Sequence, residues 1–405
     1  MSITKALLII GGGILQAKTF SECKDLGIMP ILVDANPHCY CVSLTDYFIQ
    51  ASTQIPEQIV NKVNLFLDDN RNIRLAGVYT QGCDVEHSVA YCAQKLRLQG
   101  IPLYAANLCH NKIMTRTMFA NHHIPQPKFF VIDKPYTIEI PKEFKFPLVF
   151  KSIDNSASRG LTIVHKKKDI LPAIKCALDN SNDKRVLVEE FLEGNEYSID
   201  TVLYKGKLFK CGISDREFIK KNNYAIQYGS LTPSLLPQSK QLLMYKLMEK
   251  IAQCFGITNG ALKGDLIIHK GKIKVLEVTA RLSGGFDSQY RKPLSYGINL
   301  IRPTIQIACG HKPDLNCLEP QWKRYSKTFS IFPKAGIVKE IKGFDAVRAI
   351  KGVAEVFCLV KVGDTIGDYK HCANRVVYFI IVADMLNELN KIEDKVKQTF
   401  KIITK

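Results

Sequence analysis

Residues 262–290, LKGDLIIHKGKIKVLEVTARLSGGFDSQY, constrain the fold more tightly than any other stretch of this chain. Two apolar runs with strand-like alternation flank a Lys270-Gly271-Lys272 turn, which is the pattern of a β-hairpin. Each strand carries one acid, so Asp265 and Glu277 can pair across it, with Thr279 and Arg281 continuing that face at period two. Two carboxylates suit Mg²⁺, which takes one or two from a protein and completes its shell with water and phosphate oxygens. Arg281 can grip a phosphoryl oxygen, and Gly284-Gly285 lets backbone approach a ligand closely. Charged residues on a hairpin are also commonly just solvated, and the segment by itself fits either description.

Composition bounds what surrounds the hairpin. A chain of 405 residues with 46% hydrophobic content can build two or three domains with real cores. No apolar run approaches the roughly 18 residues needed to cross a bilayer, so neither a transmembrane helix nor a membrane partner is expected. The amino end, Ala6-Leu7-Leu8-Ile9-Ile10 running into Gly11-Gly12-Gly13, reads as a buried first strand rather than a signal peptide. The 13 cysteines show no CxxC pairing, and His38-Cys39-Tyr40-Cys41 lacks the second ligand pair of a zinc site. Reduced thiols in a cytoplasmic protein fit best. The net charge of +18 favours anionic partners, but the lysines are dispersed and no arginine-rich or basic aromatic run grips bases. Specific nucleic-acid binding is therefore not expected.

The first hundred residues alternate strand and helix: strands at 5–10, 30–33, 75–79 and 101–103, helices at 16–26, 56–67 and 84–96. This is an open parallel α/β sheet. Gly11-Gly12-Gly13 occupies the first strand-to-helix turn, and Asp34 closes the second strand at the spacing of a ribose-binding acid, which raises an NAD-dependent oxidoreductase as an alternative. Against it, Gln16 stands where that fingerprint needs Gly or Ala.

The chain changes character near Asn107. A helix over 107–122 carries Lys112 and ends at Ile124-Pro125-Gln126-Pro127. A strand over 146–151 then delivers Lys151, followed by a small, hydroxyl-rich loop with Ser156, Ser158, Arg159 and Gly160 and a returning strand at 161–164. Such a hairpin lid can fold over a triphosphate, with Lys151 and Arg159 offsetting its charge. It is not a Walker loop, which needs GxxxxGK[ST] opening a helix. The strand ending in Glu189-Glu190-Phe191-Leu192, with Gly194 and Glu196 after it, offers apolar walls and acceptors for an adenine and its ribose. It also reads simply as strand, turn and strand. Arg216 and Asp287, with Ser288 beside it, are candidates for a free amino acid's charged groups, although a turn-capping role fits Arg216 and Asp287 as well. From Trp322 the chain starts again, with strands at 327–331, 336–341, 354–360 and 375–382 and a helix at 384–400.

Taken in order, these motifs resemble the ATP-grasp superfamily of carboxylate-amine (or thiol) ligases over about residues 107–310, and within it amino-acid ligases and stand-alone carbamoyl-phosphate-synthase-like proteins. The resemblance implies a mixed α/β and α+β chain: an ATP-grasp fold preceded by an open parallel α/β domain and followed by a small carboxy-terminal β-rich domain. The expected divisions are 1–105, 106–312 with a lid at 125–188, and 320–405. It implies that Lys112, Lys151, Ser158, Arg159 and Gly160 meet ATP phosphates, that Glu189, Glu190 and Leu192 meet the adenine, and that Glu196 meets the ribose. Asp265, Glu277 and Thr279 would hold Mg²⁺, with Mn²⁺ as the alternative ion, and Arg281 would act with Glu277 at an acyl-phosphate step. One departure stands out: the family pattern reads Glu-x-Asn-x-Arg, and Thr279 replaces the asparagine. The expected activity is ATP-dependent ligation of a carboxylate, such as an amino acid, to an amine. The alternatives are the NAD oxidoreductase and a nucleotide-binding protein without catalysis. The expected partners are small molecules, and a homodimer is compatible with the reading.

Overall fold

The computed structural model describes residues 3–133, 139–156, 158–221 and 224–405. Strands β1 (Thr4–Ile10), β2 (Met29–Asp34), β3 (Tyr47–Gln50) and β4 (Ile73–Tyr79) form a parallel sheet in the order β3-β2-β1-β4. Ala6 to Ile10 are fully buried because a parallel sheet is covered on both faces, here with α1 (Ala17–Asp25), α2 (Pro56–Asp69) and α3 (Glu86–Lys95) among its neighbours. Pro56 opens α2 at a position where a missing N–H costs nothing.

Two sequence expectations fail just after this sheet. No strand forms at 101–103; Pro102 instead leads into α4 (Leu103–His110). The single helix expected over 107–122 is two, because Asn111 leaves the helical region and its side chain accepts from the Ile113 and Met114 N–H groups, capping α5 (Lys112–Asn121). Lys112 thereby becomes the first residue of a helix, and its backbone donates to the Ile153 carbonyl.

An antiparallel sheet of order β5-β8-β6-β7 follows, built from β5 (Phe129–Ile132), β6 (Leu148–Lys151), β7 (Thr162–Val164) and β8 (Val186–Glu190), and α6 (Ile170–Asp179) packs on it. The larger sheet is eight-stranded. Its first five members are β9 (Asn195–Tyr204), β10 (Lys207–Lys221), β11 (Tyr224–Thr232), β12 (Gly260–His269) and β13 (Lys272–Thr279), with α7 (Gln238–Phe255) packed against them and ended by Gly256 in the left-handed conformation. Short helices α8 (Lys292–Tyr296) and α9 (Ile301–Ala308) carry the chain back towards the first sheet.

The last segment contributes β14 (Tyr325–Phe329), β15 (Gly336–Lys342), α10 (Phe344–Arg348), β16 (Val353–Cys358), β17 (Thr365–Ile366), β18 (Val377–Ala383), α11 (Leu386–Thr399) and β19 (Lys401–Thr404). Strands β14, β18 and β16 extend the larger sheet, giving the order β13-β12-β9-β10-β11-β14-β18-β16, while β17, β15 and β19 form a separate small sheet. All 13 cysteines are free thiols, and no helix is long and apolar enough to cross a membrane among the described residues.

Candidate active site

The hairpin of β12 and β13 forms with Asp265 directly opposite Glu277, and the ladder slips by one residue just after Asp265. Asp265 is buried, and its Oδ2 accepts from Lys263 Nζ at 2.5 Å with Arg216 Nη1 at 3.2 Å. Burial works to raise this carboxyl, but Arg216 and then Lys263 outweigh it and hold it below the usual range. Its Oδ1 is buried without a hydrogen-bond partner, as is Thr279 Oγ1 two residues beyond Glu277. Glu277 is more open, at 36% side-chain exposure, with Lys112 Nζ 3.9 Å away.

This donor set fits a hard cation. Unpaired Asp265 Oδ1 and the open Glu277 supply carboxylate oxygens, and no group of three or more His, Cys, Asp or Glu side chains is arranged to hold a metal ion among the described residues. An ion here would take two carboxylates and complete its shell from water and a phosphorylated substrate, the habit of Mg²⁺.

Facing the hairpin, β6 delivers Lys151, whose Nζ bonds Glu189 Oε2 at 2.6 Å, while Arg116 Nε bonds Glu189 Oε1 at 2.6 Å. Glu189 is fully buried between these two cations. Burial would raise its carboxyl, yet Arg116 and Lys151 together hold it down at about 2. The guanidinium of Arg116 also donates to the Val275 and Leu276 carbonyls, so this buried pair ties α5, β8 and β13 together. Glu189 is thus engaged on both oxygens, and Glu190, expected beside it at an adenine, accepts from Lys274 Nζ at 2.5 Å and the Lys128 N–H at 2.9 Å.

The loop after β6 is closed by Ser152 N–H donating to the Gly160 carbonyl, and Arg159 is held by Asn155 Oδ1 and Ser156 Oγ at 2.8 and 2.9 Å. Gly160 has φ +71°, and a Cβ there would meet Ser152 and Asn180 side chains at 2.9 Å, so only glycine fits the turn. Every residue expected at ATP except Gly160 lines one cleft between the two antiparallel sheets, joined there by Asp265 and Glu277. Thr279 does not line it. Glu196 does, paired to Arg216 at 2.9 Å; burial pushes its carboxyl up despite that arginine.

A second cleft adjoins the first and shares Arg216 and Asp265 with it. Arg281 lines this second space, not the first, and its guanidinium is clasped by Asp84 of the turn after β4. Burial would raise the Asp84 carboxyl, but Arg281 and a hydrogen bond from Ser156 hold it at about 2. Of the substrate candidates, Arg216 faces both clefts. Asp287 lines the second but is already bound by Arg291 at 2.8 Å, Lys292 at 3.2 Å and Ser214. Ser288 lies inside the fold, donating to the Ser283 carbonyl at 2.6 Å and accepting from Gln81 Nε2, and lines neither cleft. Sequence reasoning missed Asp84, Arg116 and Lys263. The one available signal for Asp84 was its place at the carboxyl end of a parallel strand, where ligand-facing groups gather.

The amino-terminal glycine turn is filled by the chain itself. Asp34 Oδ2 accepts from the Gly12 N–H at 2.7 Å and its Oδ1 from the Asn36 N–H, so the acid expected at a ribose holds backbone instead. A Cβ on Gly12 would lie 2.4 Å from Cys39 Sγ, and Cys41 Sγ bonds the Gly13 carbonyl. Neither the dinucleotide nor the zinc alternative finds a site there.

An ATP-grasp domain model matches residues 109–285, and an L-amino acid ligase C-terminal domain 2 model matches residues 328–405. Carnosine synthase 1 of Homo sapiens is 22% identical over 339 residues, covering 77% of this chain and 40% of that protein. The L-arginine-specific L-amino acid ligase of Bacillus subtilis is 24% identical over 301 residues, covering 72% of this chain and 71% of its own. The crystal structure of an L-amino acid ligase from Bacillus licheniformis superposes over 100% of both chains with a TM-score of 0.85 at 21% identity. The present chain thus spans well under half the length of the carnosine synthase it matches.

Proposed function

We propose that this chain, which matches an ATP-grasp domain model over residues 109–285 and an L-amino acid ligase C-terminal domain model over 328–405, joins a carboxylic acid to an amine with the use of one ATP. The observation that carries this reading is the convergence, in one cleft, of Lys112, Lys151, Arg159, Asp265 and Glu277 from three separate stretches of sequence. Two lysines and an arginine suit a triphosphate, and two carboxylates in the same cleft suit the ion that travels with it.

In this reading Lys112, Lys151 and Arg159 bind the phosphates, helped by the hydroxyl of Ser158, and Ser152, Asn155 and Ser156 line the same space. Leu192 and the neighbouring apolar side chains flank the adenine, Glu190 lies at its edge, and Glu196 faces the ribose. Glu189 acts one step back, fixing Lys151 through their 2.6 Å pair. Asp265 and Glu277 would hold Mg²⁺, with Thr279 behind them, and the ion would supply neutralising charge to the transferring phosphoryl group. The substrate carboxylate attacks the γ-phosphorus, the bond to ADP breaks, and an acyl phosphate forms. Arg281, clasped by Asp84 and lining the second cleft, would steady the charge on that group. The amine nitrogen then attacks the acyl carbon, the C–O bond to phosphate breaks, and the amine gives up a proton as the amide forms. The loop keeps water from the activated acid in the meantime.

The test is ADP release from Mg-ATP across amino acids and related acids and amines, singly and in pairs, with Glu277→Gln as the blank. Release that requires two substrates and vanishes in the blank supports the ligase. Tight ATP binding with no release under any pairing would favour a nucleotide-binding protein without catalysis, in which Thr279 marks the lost step.

A further inference from the structure

A third cavity is separate from the two clefts. Its walls come from β4, α3, β12, α9 and the turns at 99–101 and 280–282, with Val78, Val89, Ile101, Ala261, Leu282 and Ile307 giving it an apolar lining. Its volume is about 70 Å³, several times what a single water needs. Gln99 and Gly100, both exposed, form its outer end, and Glu86, only 4% exposed, stands in its lining. The cavity shares no residue with the first cleft and only Arg281 with the second.

The buried polar side chains around it are settled with one exception. Tyr79 and Thr304 share a hydrogen bond at 2.9 Å, and Thr80 donates to the Ile10 carbonyl at 2.8 Å. Arg281 is committed to Asp84 and to the Leu282 carbonyl. Glu86 Oε2 alone, of the buried side-chain oxygens lining the cavity, has no partner among the described residues. Asp84 adds a second negative charge close by, and no lysine or histidine among the described residues lines the space. A buried carboxylate with no cation of its own is costly, and an apolar pocket with one such acid in its wall is a receptor for a cation that has an apolar body. Water alone would answer the oxygen but not the hydrocarbon walls.

We propose that this cavity is a binding site for a small aliphatic primary amine, with the ammonium on Glu86 and the hydrocarbon against the apolar walls. The ligand carries no carboxylate. The one arginine lining the cavity is already taken by Asp84, so an amino acid would bring an anion that nothing there receives. The inference goes beyond the ligase reading and stands without it.

Calorimetric titration of the full chain with isobutylamine tests this, at about pH 8 so that the Glu86 carboxyl is ionised. The amine is expected to bind at least about 10-fold more tightly than isobutanol, which has the same skeleton without the charge. Glu86→Gln should erase that preference, weakening the amine by about 10-fold or more and the alcohol by no more than about twofold. Val89→Phe, which fills the cavity from α3, should abolish binding of both, with a thermal melt to show that the variant is folded. Valine, which is isobutylamine with an added carboxylate, should not displace the amine. No binding of the amine, binding no tighter than the alcohol's, or an unchanged affinity in Glu86→Gln would each overturn the assignment, as would displacement by valine. Loss of binding in Glu277→Gln but not in Glu86→Gln would move the amine to the first cleft and overturn it equally.

Discussion

Glu189 and Glu277 line the same cleft and carry the same side chain, yet the chain treats them in opposite ways. Glu189 is buried with a cation on each oxygen, while Glu277 stands partly open with its nearest cation 3.9 Å away. A carboxylate whose lone pairs are already answered by the protein holds elements together. One left short of partners at the mouth of a cleft is available to something that arrives later. The same contrast separates Asp34, bonded to Gly12 and Asn36, from Asp265, whose Oδ1 has no partner.

That contrast can be broken by mutation. Glu189→Ala strands Arg116 and Lys151 in a buried site and should cost about 3–5 kcal/mol in a denaturant titration. Retention of wild-type stability would show that the pair is not a strut. Glu277→Gln should reverse the pattern, lowering ADP release by about 10²–10³-fold while leaving unfolding within about 1 kcal/mol. An active, destabilised variant would place Glu277 with the structural acids.

Glu86 sharpens the comparison as a third case, buried like Glu189 but with Oε2 unpartnered. Burial, reinforced by Asp84, raises its carboxyl from 4.5 to about 7. The folded form therefore holds a proton that the unfolded chain has released between those values, so this group lowers stability as pH rises from 4.5 to about 7. Glu86→Gln should flatten that part of the stability profile in a pH series of thermal melts, and an unchanged slope would remove Glu86 as its source. The smallest effect is expected at Asp34→Ala, where loss of the carboxylate acceptor for two backbone N–H groups at a partly exposed turn should cost about 1 kcal/mol. The KM for ATP should not move, because that turn lies outside both clefts.

Local pattern carried the hairpin and most of the strands into view from sequence, because period-two alternation and a Lys-Gly-Lys turn are properties of neighbours. It carried much less of what makes the site work. Arg281 meets Asp84 across 197 residues and Arg116 meets Glu189 across 73, and nothing local to either member announces the other. Asn111 is a local signal of the opposite kind: an asparagine in a helical run is as good a cap as a helix residue, and here it starts α5 at Lys112. Asp287 and Ser288 show the converse case. Polar residues beside a glycine pair suggested substrate contacts, but the first is locked by Arg291 and Lys292, and the second is engaged by Gln81 and the Ser283 carbonyl.

The continuity of the large sheet across β11 and β14 bears on how this protein can be taken apart. Residues 229 to 232 of β11 are hydrogen-bonded to 326 to 329 of β14, so a fragment ending before β14 would present a long, bare strand to solvent. Exposed edges of that kind pair with copies of themselves. Shortened versions of the chain should therefore aggregate rather than fold, and a chimera that exchanges the carboxy-terminal part for a relative's must match the rim it is sewn onto.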